Sequence, residues 1–411
     1  MKRYSEYKDS GVKWIGEIPG HWKICRTRYL CNINTGDKDT VMKEDNGKYP
    51  FYVRSPKIER INTFSYDGEA ILMAGDGVGA GKVFHYANGK FDYHQRVYNM
   101  HNICGVSGKF MFYFIRDQFH YAMEEKNAKS TVDSVRLPWL KAFPIAIPAQ
   151  EEQEAIVTYL DTKVAKIDEY ISIAEKKIAA LEELKQSIIA EAVTRGIHKE
   201  VPMKDSGVKW IGMIPEHWKM NSLRSYVKLY SEKNHPEKQL LSVTREMGVI
   251  VRNTESKEEN HNFIPDDLSG YKLVRKGDFV INKMKSWQGS YGVSKYEGIV
   301  SPAYYVCKLK FPYNDFFSIA IRCKSYVPFF TQYSKGIRVD QWDLSPIALK
   351  NIPFMEPPIT EQQEIVTYIE AKAAKIDQLC QAERSQIEKL KEYKQRLISD
   401  VVTGKVKVTN D

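Results

Sequence analysis

Two long segments of the chain carry apolar residues at alternating steps of three and four. The first segment, Glu152–Arg195, contains no Gly or Pro and is rich in helix-forming residues. Its apolar stripe comprises Val164, Ile167, Ile171, Ala174, Ile178, Leu181, Ile188 and Ala192. This heptad pattern predicts a helix that lays one apolar seam along a partner helix. At 1.5 Å per residue the helix would be about 66 Å long, which exceeds an ordinary globular helix.

The second segment, Glu361–Thr403, repeats this pattern 209 residues later and is the predicted partner. Its seam comprises Ala373, Ile376, Cys380, Glu383, Ile387, Leu390, Lys394, Leu397 and Val401. Lys394 takes the place of Lys185 in the first segment, whereas Glu383 is a charged departure. We expect an antiparallel coiled coil that holds two globular regions at its opposite ends. The residues expected to pack against one another at its middle are Ile178, Leu181, Ile387 and Leu390.

Each long segment is preceded by a globular region, and both regions begin with nearly the same fifteen residues. Lys8–Trp22 reads KDSGVKWIGEIPGHW, and Lys204–Trp218 reads KDSGVKWIGMIPEHW. The Ile-Pro step in each copy prevents a continuous helix. This head segment is either a docking surface, for a protein partner or for the long helices, or a hydrophobic strap that closes each region.

The two globular regions also share predicted elements further along the chain. Buried or strand-like stretches are predicted at Gly68–Met73, His94–Tyr98, Gly277–Asn282 and Ser301–Tyr305, and helical ones at Lys109–Asn127 and Phe316–Tyr333. The fold class is therefore α+β, with two pseudo-symmetric globular α/β domains separated by two long helices that form an antiparallel coiled coil. The predicted boundaries are 1–150, 151–196, 197–357 and 358–411.

Charge is distributed unevenly over these parts. Residues 1–150 carry 22 Lys and Arg against 16 Asp and Glu, and residues 197–357 carry 24 against 17. Residues 151–196 carry 6 against 10, and the remainder is neutral. The two basic globular regions favour a polyanionic partner, although many solvated surfaces are equally basic.

Several kinds of catalytic and metal site find no support in the sequence. The six cysteines form no CxxC pair, so we expect a reducing cytoplasm and no metal. No signal peptide or membrane span is predicted. The glycine-rich stretch Gly75–Lys82 lacks the Walker A spacing and its Ser or Thr, since Val83 follows the lysine. The motifs of base methyltransferases and metal-dependent nucleases are also missing, and His85, His94 and His101 have no paired carboxylates.

Nucleic-acid contact is the remaining chemistry that these regions could supply. The densest mixture of aromatic and cationic residues is Lys283, Lys285, Trp287, Gln288 and Tyr291, which we expect on a strand or hairpin. Cations can hold phosphates, and Arg or Gln can also read base edges. By composition and position, the further candidates for DNA contact are Arg54, Lys57, Lys82, Gln95, Arg96 and Arg252. An ordinary exposed hairpin or tight turn is the alternative at each place.

The duplicated motifs resemble one known family, the specificity subunits of type I restriction–modification systems. The resemblance lies in the two heads, in the helix entrances that begin with Pro and end in Glu-Gln, and in the helix ends Val193–Gly196 and Val402–Gly404. The helix entrances are Pro148–Gln153 and Pro357–Gln362. This resemblance covers essentially the whole chain. It implies two target-recognition domains that each read half of a split DNA site, with the helix pair as a spacer.

The resemblance also implies partners and cofactors. Two modification subunits would bind S-adenosylmethionine and methylate double-stranded DNA, and restriction subunits would use ATP and magnesium. This chain would bind no cofactor and catalyse nothing. Two alternatives of other classes stay open, which are an autonomous nuclease or methyltransferase with an unrecognised site, and a coiled-coil scaffold without a DNA role.

Overall fold

The structure, a computed structural model, describes residues 2–126, 134–253, 264–336 and 342–408. Its residues form two units. Unit 1 comprises Met1–Glu175 and Arg384–Asp411, and unit 2 comprises Lys176–Glu383. Each unit therefore contains one strand-rich region and part of each long helix. The units divide within the long helices, whereas the boundaries predicted from sequence separate helices from globular regions.

The described part of unit 1 holds strands β1–β12. They are β1 (Tyr7–Asp9), β2 (Glu17–Pro19), β3 (Lys23–Arg26), β4 (Asn32–Thr35), β5 (Tyr49–Tyr52), β6 (Glu59–Ile61), β7 (Tyr66–Asp67), β8 (Ala70–Ala74), β9 (Phe84–Ala87), β10 (Lys90–Tyr93), β11 (Val97–His101) and β12 (Pro144–Ile147). Its helices are α1 (Gly108–Lys126), α2 (Leu137–Ala142), the first part of α3 (Gln150–Arg195) and the last part of α7 (Ile359–Val402).

The described part of unit 2 holds strands β13–β26. They are β13 (Met203–Asp205), β14 (Met213–Pro215), β15 (Lys219–Ser222), β16 (Val227–Tyr230), β17 (Leu241–Thr244), β18 (Gly248–Val251), β19 (Lys272–Val274), β20 (Phe279–Ile281), β21 (Tyr291–Val293), β22 (Gly298–Val300), β23 (Tyr305–Leu309), β24 (Ser334–Lys335), β25 (Asp343–Leu344) and β26 (Pro353–Glu356). Its helices are the last part of α3, α4 (Asn314–Arg322), α5 (Val327–Tyr333), α6 (Pro346–Asn351) and the first part of α7 (Ile359–Val402).

A four-stranded antiparallel sheet lies at the centre of each unit, with the same topology in both. Its strand order is β4-β11-β8-β9 in unit 1 and β16-β23-β20-β21 in unit 2. β8 is buried along its whole length because both faces are covered: Ile71 and Met73 pack in the core that contains α1, whereas Leu72 packs against β10. Alternate side chains of a strand point to opposite faces, so a doubly covered strand is a continuous apolar run. The predicted buried strands at Gly68–Met73 and Gly277–Asn282 are thereby confirmed.

Three predicted elements differ from the structure. In Ser301–Tyr305 only Tyr305 lies in a strand, because β23 begins there and the preceding residues form a turn closed by the hydrogen bond from Tyr304 N to Ser301 O at 3.0 Å. His94–Tyr98 is not strand throughout, since β11 begins at Val97 and the residues before it form a turn. Gly75 N donates a hydrogen bond to Arg96 O of this turn at 2.8 Å. The predicted helix Phe316–Tyr333 is broken into α4 and α5. Cys323 has extended backbone angles, and Pro328 follows in the first turn of α5, where its missing N–H is tolerated but would interrupt a continuous helix.

The two head segments fasten the long helices to the globular regions. Trp22 is fully buried, and its Nε1 donates to Glu152 Oε2 at 3.1 Å, while Nε2 of the adjacent His21 lies 2.8 Å from the same oxygen. In unit 2, Trp218 and His217 contact Glu361 Oε2 at 3.0 and 2.8 Å. Each Glu lies in the first turn of its long helix. The head is thus both an internal docking surface for the long helix and a buried strap.

The long helices also end against the head segments. Gly404 follows α7 with a φ of +74°, and a Cβ there would lie 2.4 Å from Cδ of Pro19. Gly196 follows α3 with a φ of +73°, and a Cβ there would lie 3.3 Å from Cζ2 of Trp218. Only glycine combines this left-handed conformation with so close an approach. Each head therefore contacts the start of one long helix and the end of the other.

The two seam lysines form ion pairs that define the helix pairing. Lys394 donates to both carboxylate oxygens of Asp168 at 2.6 and 2.7 Å within unit 1. Lys185 donates to Asp377 at 2.8 and 2.7 Å within unit 2. The unexpected Glu383 accepts a charged hydrogen bond from Lys177, also in unit 2. Residue numbers rise along one helix as they fall along the other, so the predicted antiparallel pairing is confirmed within each unit.

The predicted seam residues all lie on the inner side of the pair, although one predicted contact is wrong. Nine of the seventeen are buried, namely Val164, Ile167, Ala174, Ala192, Ile376, Cys380, Ile387, Leu397 and Val401. The other eight are half-buried, namely Ile171, Ile178, Leu181, Ile188, Ala373, Glu383, Leu390 and Lys394. Leu181 lies four residues before Lys185, which places it level with Gln381, beside Cys380. By the same register Leu390 is level with Ser172, beside Ile171, so Leu181 and Leu390 are equivalent positions in two units rather than facing partners.

Removing a buried seam side chain should destabilise the protein far more than removing a neighbouring exposed one. Leu397 is 3% exposed and Leu184 is 49% exposed. We expect Leu397→Ala to lower the free energy of unfolding by about 2–5 kcal/mol, and Leu184→Ala to change it by less than about 0.5 kcal/mol. Urea unfolding of both variants measures this difference. Similar losses in the two variants would contradict the seam.

Candidate nucleic-acid interface

Four segments of unit 1 meet at one end of its central sheet. They are residues 36–39 after β4, 53–58 after β5, 75–83 between β8 and β9, and 94–96 before β11. Backbone hydrogen bonds join them, from Gln95 N to Lys38 O at 2.8 Å and from His94 N to Tyr52 O at 2.9 Å. We call these segments loop cluster 1. It contains Arg54, Lys57, Lys82, Gln95 and Arg96, which the sequence suggested one by one.

Carboxylates hold the polar side chains of loop cluster 1 in place. Arg54 Nη1 donates to Asp76 Oδ1 at 3.0 Å, and Arg96 Nε lies 3.6 Å from Asp76 Oδ2. Gln95 Nε2 donates to Asp39 Oδ2 at 3.1 Å. A guanidinium has five N–H donors, so one bond to Asp76 leaves others to reach a base edge or a phosphate. The side chains are thus oriented before any ligand binds.

The glycine-rich loop at 75–83 is shaped by packing rather than by phosphate binding. A Cβ on Gly79 would lie 2.5 Å from the carbonyl oxygen of Arg54, and one on Gly81 would lie 3.2 Å from the Phe119 ring. The N–H groups of Ala80 and Lys82 donate to carbonyls within the loop. Lys82 is exposed, but the backbone around it does not offer a row of donors to a phosphate.

His94 fixes the turn that carries Gln95 and Arg96. The ring is buried, and Nδ1 accepts a hydrogen bond from the backbone N–H of Arg96 at 2.9 Å. Burial lowers the pKa of His94, and the nearby charge of Arg54 lowers it further. The neutral ring is therefore the form that supports the turn.

The corresponding loop of unit 2 lies between β20 and β21 at residues 283–289. Asn282 N donates to Ser290 O at 3.0 Å, as Ala74 N does to Val83 O in unit 1. Lys283 O accepts from Leu344 N at 3.2 Å, as Gly75 O does from Val135 N at 2.8 Å. The glycine-rich stretch and the Lys-Trp-Gln stretch, so different in sequence, therefore occupy equivalent positions. We call the second stretch, with Arg252 and Tyr304 beside it, loop cluster 2.

Loop cluster 2 presents cations and amides. Lys283 Nζ donates to Asp343 Oδ2 at 2.8 Å, and this hydrogen bond raises the pKa of Lys283. Lys285 is exposed, whereas Gln288 lines a groove of about 1450 Å³. Burial raises the pKa of Tyr304, and the positive charge of the nearby Arg252 partly opposes that rise. Asn282 Nδ2 donates to the Tyr304 hydroxyl at 3.2 Å.

Three details of the sequence-based prediction for this stretch are corrected. Tyr291 is 1% exposed and stacks on Phe330 at 3.8 Å, so it is a core residue that does not reach a ligand. Lys283 and Lys285 do not lie on a strand, because β20 ends at Ile281 and a turn leads into a short 3-10 helix at Ser286–Gln288. Trp287 is half-buried and packs against Trp342 at 5.5 Å.

The described residues offer no group of three or more His, Cys, Asp or Glu that could hold a metal ion. The buried thiols are poor nucleophiles, since burial raises the pKa of Cys31 and Cys307 to about 12 and that of Cys323 to about 11. In the part of the chain that the structure describes, no helix is both long and apolar enough to cross a membrane.

Acid should weaken unit 1 through His94. Because the pKa is lower in the folded chain, the unfolded chain binds the proton first as the pH falls, and stability is lost below the ordinary value of about 6.5. In His94→Asn, Oδ1 can take the place of the accepting ring nitrogen without titrating. We expect the variant to lose less unfolding free energy than the wild type between pH 6.5 and 5, by at most about 1.4 kcal/mol per pH unit. Matching pH profiles would exclude His94 as the cause.

Comparisons with known proteins find relatives that match nearly the whole chain. The family model described as "Type I restriction modification DNA specificity domain" matches residues 19–183. The EcoDI type I restriction enzyme specificity subunit of Escherichia coli is 22% identical, over 95% of this chain and 90% of its own length. The MjaVIII specificity subunit of Methanocaldococcus jannaschii is 23% identical, over 98% of each. A solved chain from a type I R-M system has the same fold, with a TM-score of 0.65 and 13% identity over 94% of this chain and 98% of that one. Over nearly its whole length, the chain is thus similar to specificity subunits of type I restriction–modification systems.

Proposed function

We propose that this chain recognises a bipartite, asymmetric DNA site, one half through each loop cluster, and carries no catalytic activity itself. The observation that supports this most directly is the pair of equivalent loops at 75–83 and 283–289. Each loop joins the equivalent pair of strands in the central sheet of its own unit, yet the two loops share almost no residues. Equivalent positions with different side chains are suited to two different half-sites.

The chemistry of both clusters fits double-stranded DNA. Each lies in a basic globular region and presents cations beside amide side chains, which are Arg54, Arg96 and Gln95 in unit 1 and Lys283, Lys285 and Gln288 in unit 2. Cations neutralise phosphates, and Arg or Gln can make bidentate hydrogen bonds to guanine or adenine in the major groove. The carboxylates Asp39, Asp76 and Asp343 contact four of these groups without burying them. DNA phosphates and bases would exchange with those contacts on binding.

Catalysis and cofactors would belong to the partners. Two modification subunits would supply S-adenosylmethionine-dependent methylation, and restriction subunits would supply ATP- and magnesium-dependent cleavage. This chain would position them. An autonomous enzyme would modify or cut DNA as the purified chain, and a scaffold without a DNA role would show no DNA binding even in complex. These outcomes separate the three hypotheses.

We further infer that each unit offers one modification subunit the same apolar patch on the outer face of its helix pair. In unit 1, Tyr170 and Tyr393 are exposed and lie at nearly the same level as the Asp168–Lys394 ion pair. In unit 2, Leu379 and Leu184 are exposed at the equivalent positions, beside Asp377 and Lys185. Two copies of one patch on one chain suit two copies of one partner.

Removing cations from loop cluster 1 should affect one half of the recognised sequence. We expect Arg54→Ala with Arg96→Ala, in the assembled methyltransferase, to weaken binding by about 1–3 kcal/mol for each lost base contact. If a phosphate contact is lost instead, the slope of log affinity against log salt concentration should decrease in magnitude by about one. Replacing the exposed Lys163 and Lys166 of α3 with Ala is the charge-matched control. Methylated positions across a genome, mapped with each variant, should show relaxed sequence in one half-site alone. Equal relaxation of both halves would overturn the modular proposal.

Each patch should bind one modification subunit independently of the other patch. We expect Tyr170→Ala with Tyr393→Ala, and separately Leu184→Ala with Leu379→Ala, each to yield a complex that holds one modification subunit instead of two, because each change removes one apolar contact surface. Native mass spectrometry measures the stoichiometry. Ile347→Ala removes an exposed aliphatic side chain elsewhere and serves as the control. Full occupancy in both double variants would exclude the patches.

A further inference from the structure

Both equivalent loops carry an exposed aliphatic side chain near their tips. Val78, between β8 and β9, is 91% exposed, and Met284, between β20 and β21, is 55% exposed. A single exposed apolar residue is ordinary on a protein surface. Its recurrence in two equivalent loops of unrelated sequence is what requires an explanation.

The loop body around Val78 is rigid, so this side chain is held in one direction. Gly77 O accepts a hydrogen bond from Ala80 N, and Gly79 O accepts from both Lys82 N and Val83 N. Gly79 packs directly on the backbone of Arg54. Val78 contributes little to this packing, since nearly all of its side chain faces solvent. The fold therefore positions Val78 although its side chain contributes little to the packing of the loop.

Cationic groups flank both tip residues. A Cβ on Gly77, the residue before Val78, would lie 3.8 Å from Nη1 of Arg54, and Arg54 and Arg96 share Asp76. Met284 lies between Lys283 and Lys285 in the sequence. Each tip thus combines an apolar group with neighbours that attract phosphates or guanine. In the major groove, the apolar feature that a base presents is the C5-methyl group of thymine.

We propose that Val78 and Met284 are specificity-determining residues, each of which contacts the C5-methyl group of a thymine in the major groove of its own half-site. This inference rests on the proposed function of the two loop clusters. A wedge between base pairs in the minor groove is the competing role for an exposed apolar residue. The short, branched side chain of Val78 favours the methyl contact over a wedge. Met284 has the length of a wedge residue, so its assignment rests on its equivalent loop and on the flanking Lys283 and Lys285.

The expected size of the contact follows from the burial of one methyl group. About 0.8 kcal/mol per buried methylene-sized group corresponds to roughly a fourfold change in affinity. Uracil differs from thymine only by lacking this methyl group. Replacing one thymine with uracil therefore removes the contact from the DNA side, and Val78→Ala removes it from the protein side.

The experiment uses the assembled methyltransferase and DNA that contains its own site, identified from the methylation map. Each thymine of the site is replaced with uracil in turn, and affinity is measured for wild type, Val78→Ala, Met284→Ala and the control Ile347→Ala. We expect wild type to lose about fourfold in affinity at one uracil in each half-site. Val78→Ala should bind thymine DNA about fourfold more weakly and become insensitive to the uracil in one half only. Met284→Ala should show the reverse, and the control should match wild type.

The assignment of Val78 would be overturned if Val78→Ala remained sensitive to uracil, or if no thymine of the first half-site were sensitive to loss of its methyl group. The same outcomes in the second half-site would overturn the assignment of Met284. A variant that reduces DNA bending while uracil has no effect would indicate a wedge and overturn it as well. These failures leave the proposed function intact as long as the Arg54 and Arg96 double variant still weakens binding. If the wild-type complex bound scrambled DNA as tightly as its own site, the proposed function itself would be wrong.

Discussion

Each unit buries a carboxylate in the first turn of a long helix, and the arrangement of the unit depends on how that charge is satisfied. A buried charge is costly unless it is hydrogen-bonded. Glu152 is satisfied by Trp22, His21 and the hydroxyl of Tyr4. Glu361 receives the same tryptophan and histidine contacts, while its second oxygen has no partner within the described residues. Since the tryptophan belongs to the head and the Glu to the helix, this contact ties the globular region to the helix pair.

A rigid frame of this kind allows the loops to differ freely. In both units the buried apolar side chains come from the central sheet, the helices that cover it, the head segment and the long helices. The loops at the sheet edge contribute little to these cores, so their side chains can change without loss of the fold. The glycines at 75–83 and the Trp287–Trp342 contact at 283–289 are two different ways of stabilising a loop at the same position. Both leave cations and an aliphatic tip exposed.

The sequence was most informative where a period or a repeat was present. The heptads identified both helices to within a few residues, and the matched lysines at 185 and 394 identified the seam. The sequence did not reveal the ion pairs with Asp168 and Asp377, because the pairing register depends on where the heads hold the helices. Tyr291 was misjudged because its neighbours are cationic. Its burial is due to Phe330, a contact distant in sequence that no local pattern encodes.

The ion pairs of the seam have a consequence for which helices can associate. Asp168 and Lys185 on α3 have the same spacing as Asp377 and Lys394 on α7. Two antiparallel copies of α3 would therefore match Asp168 to Lys185 twice, as α3 and α7 do with each other. The Lys177–Glu383 pair is the described exception, since α3 has Ala174 where α7 has Glu383. An exposed pair of this kind contributes only about 0–1 kcal/mol. Charge alone therefore discriminates weakly between self-association and correct pairing, and the covalent connection that makes correct pairing intramolecular supplies most of the selectivity.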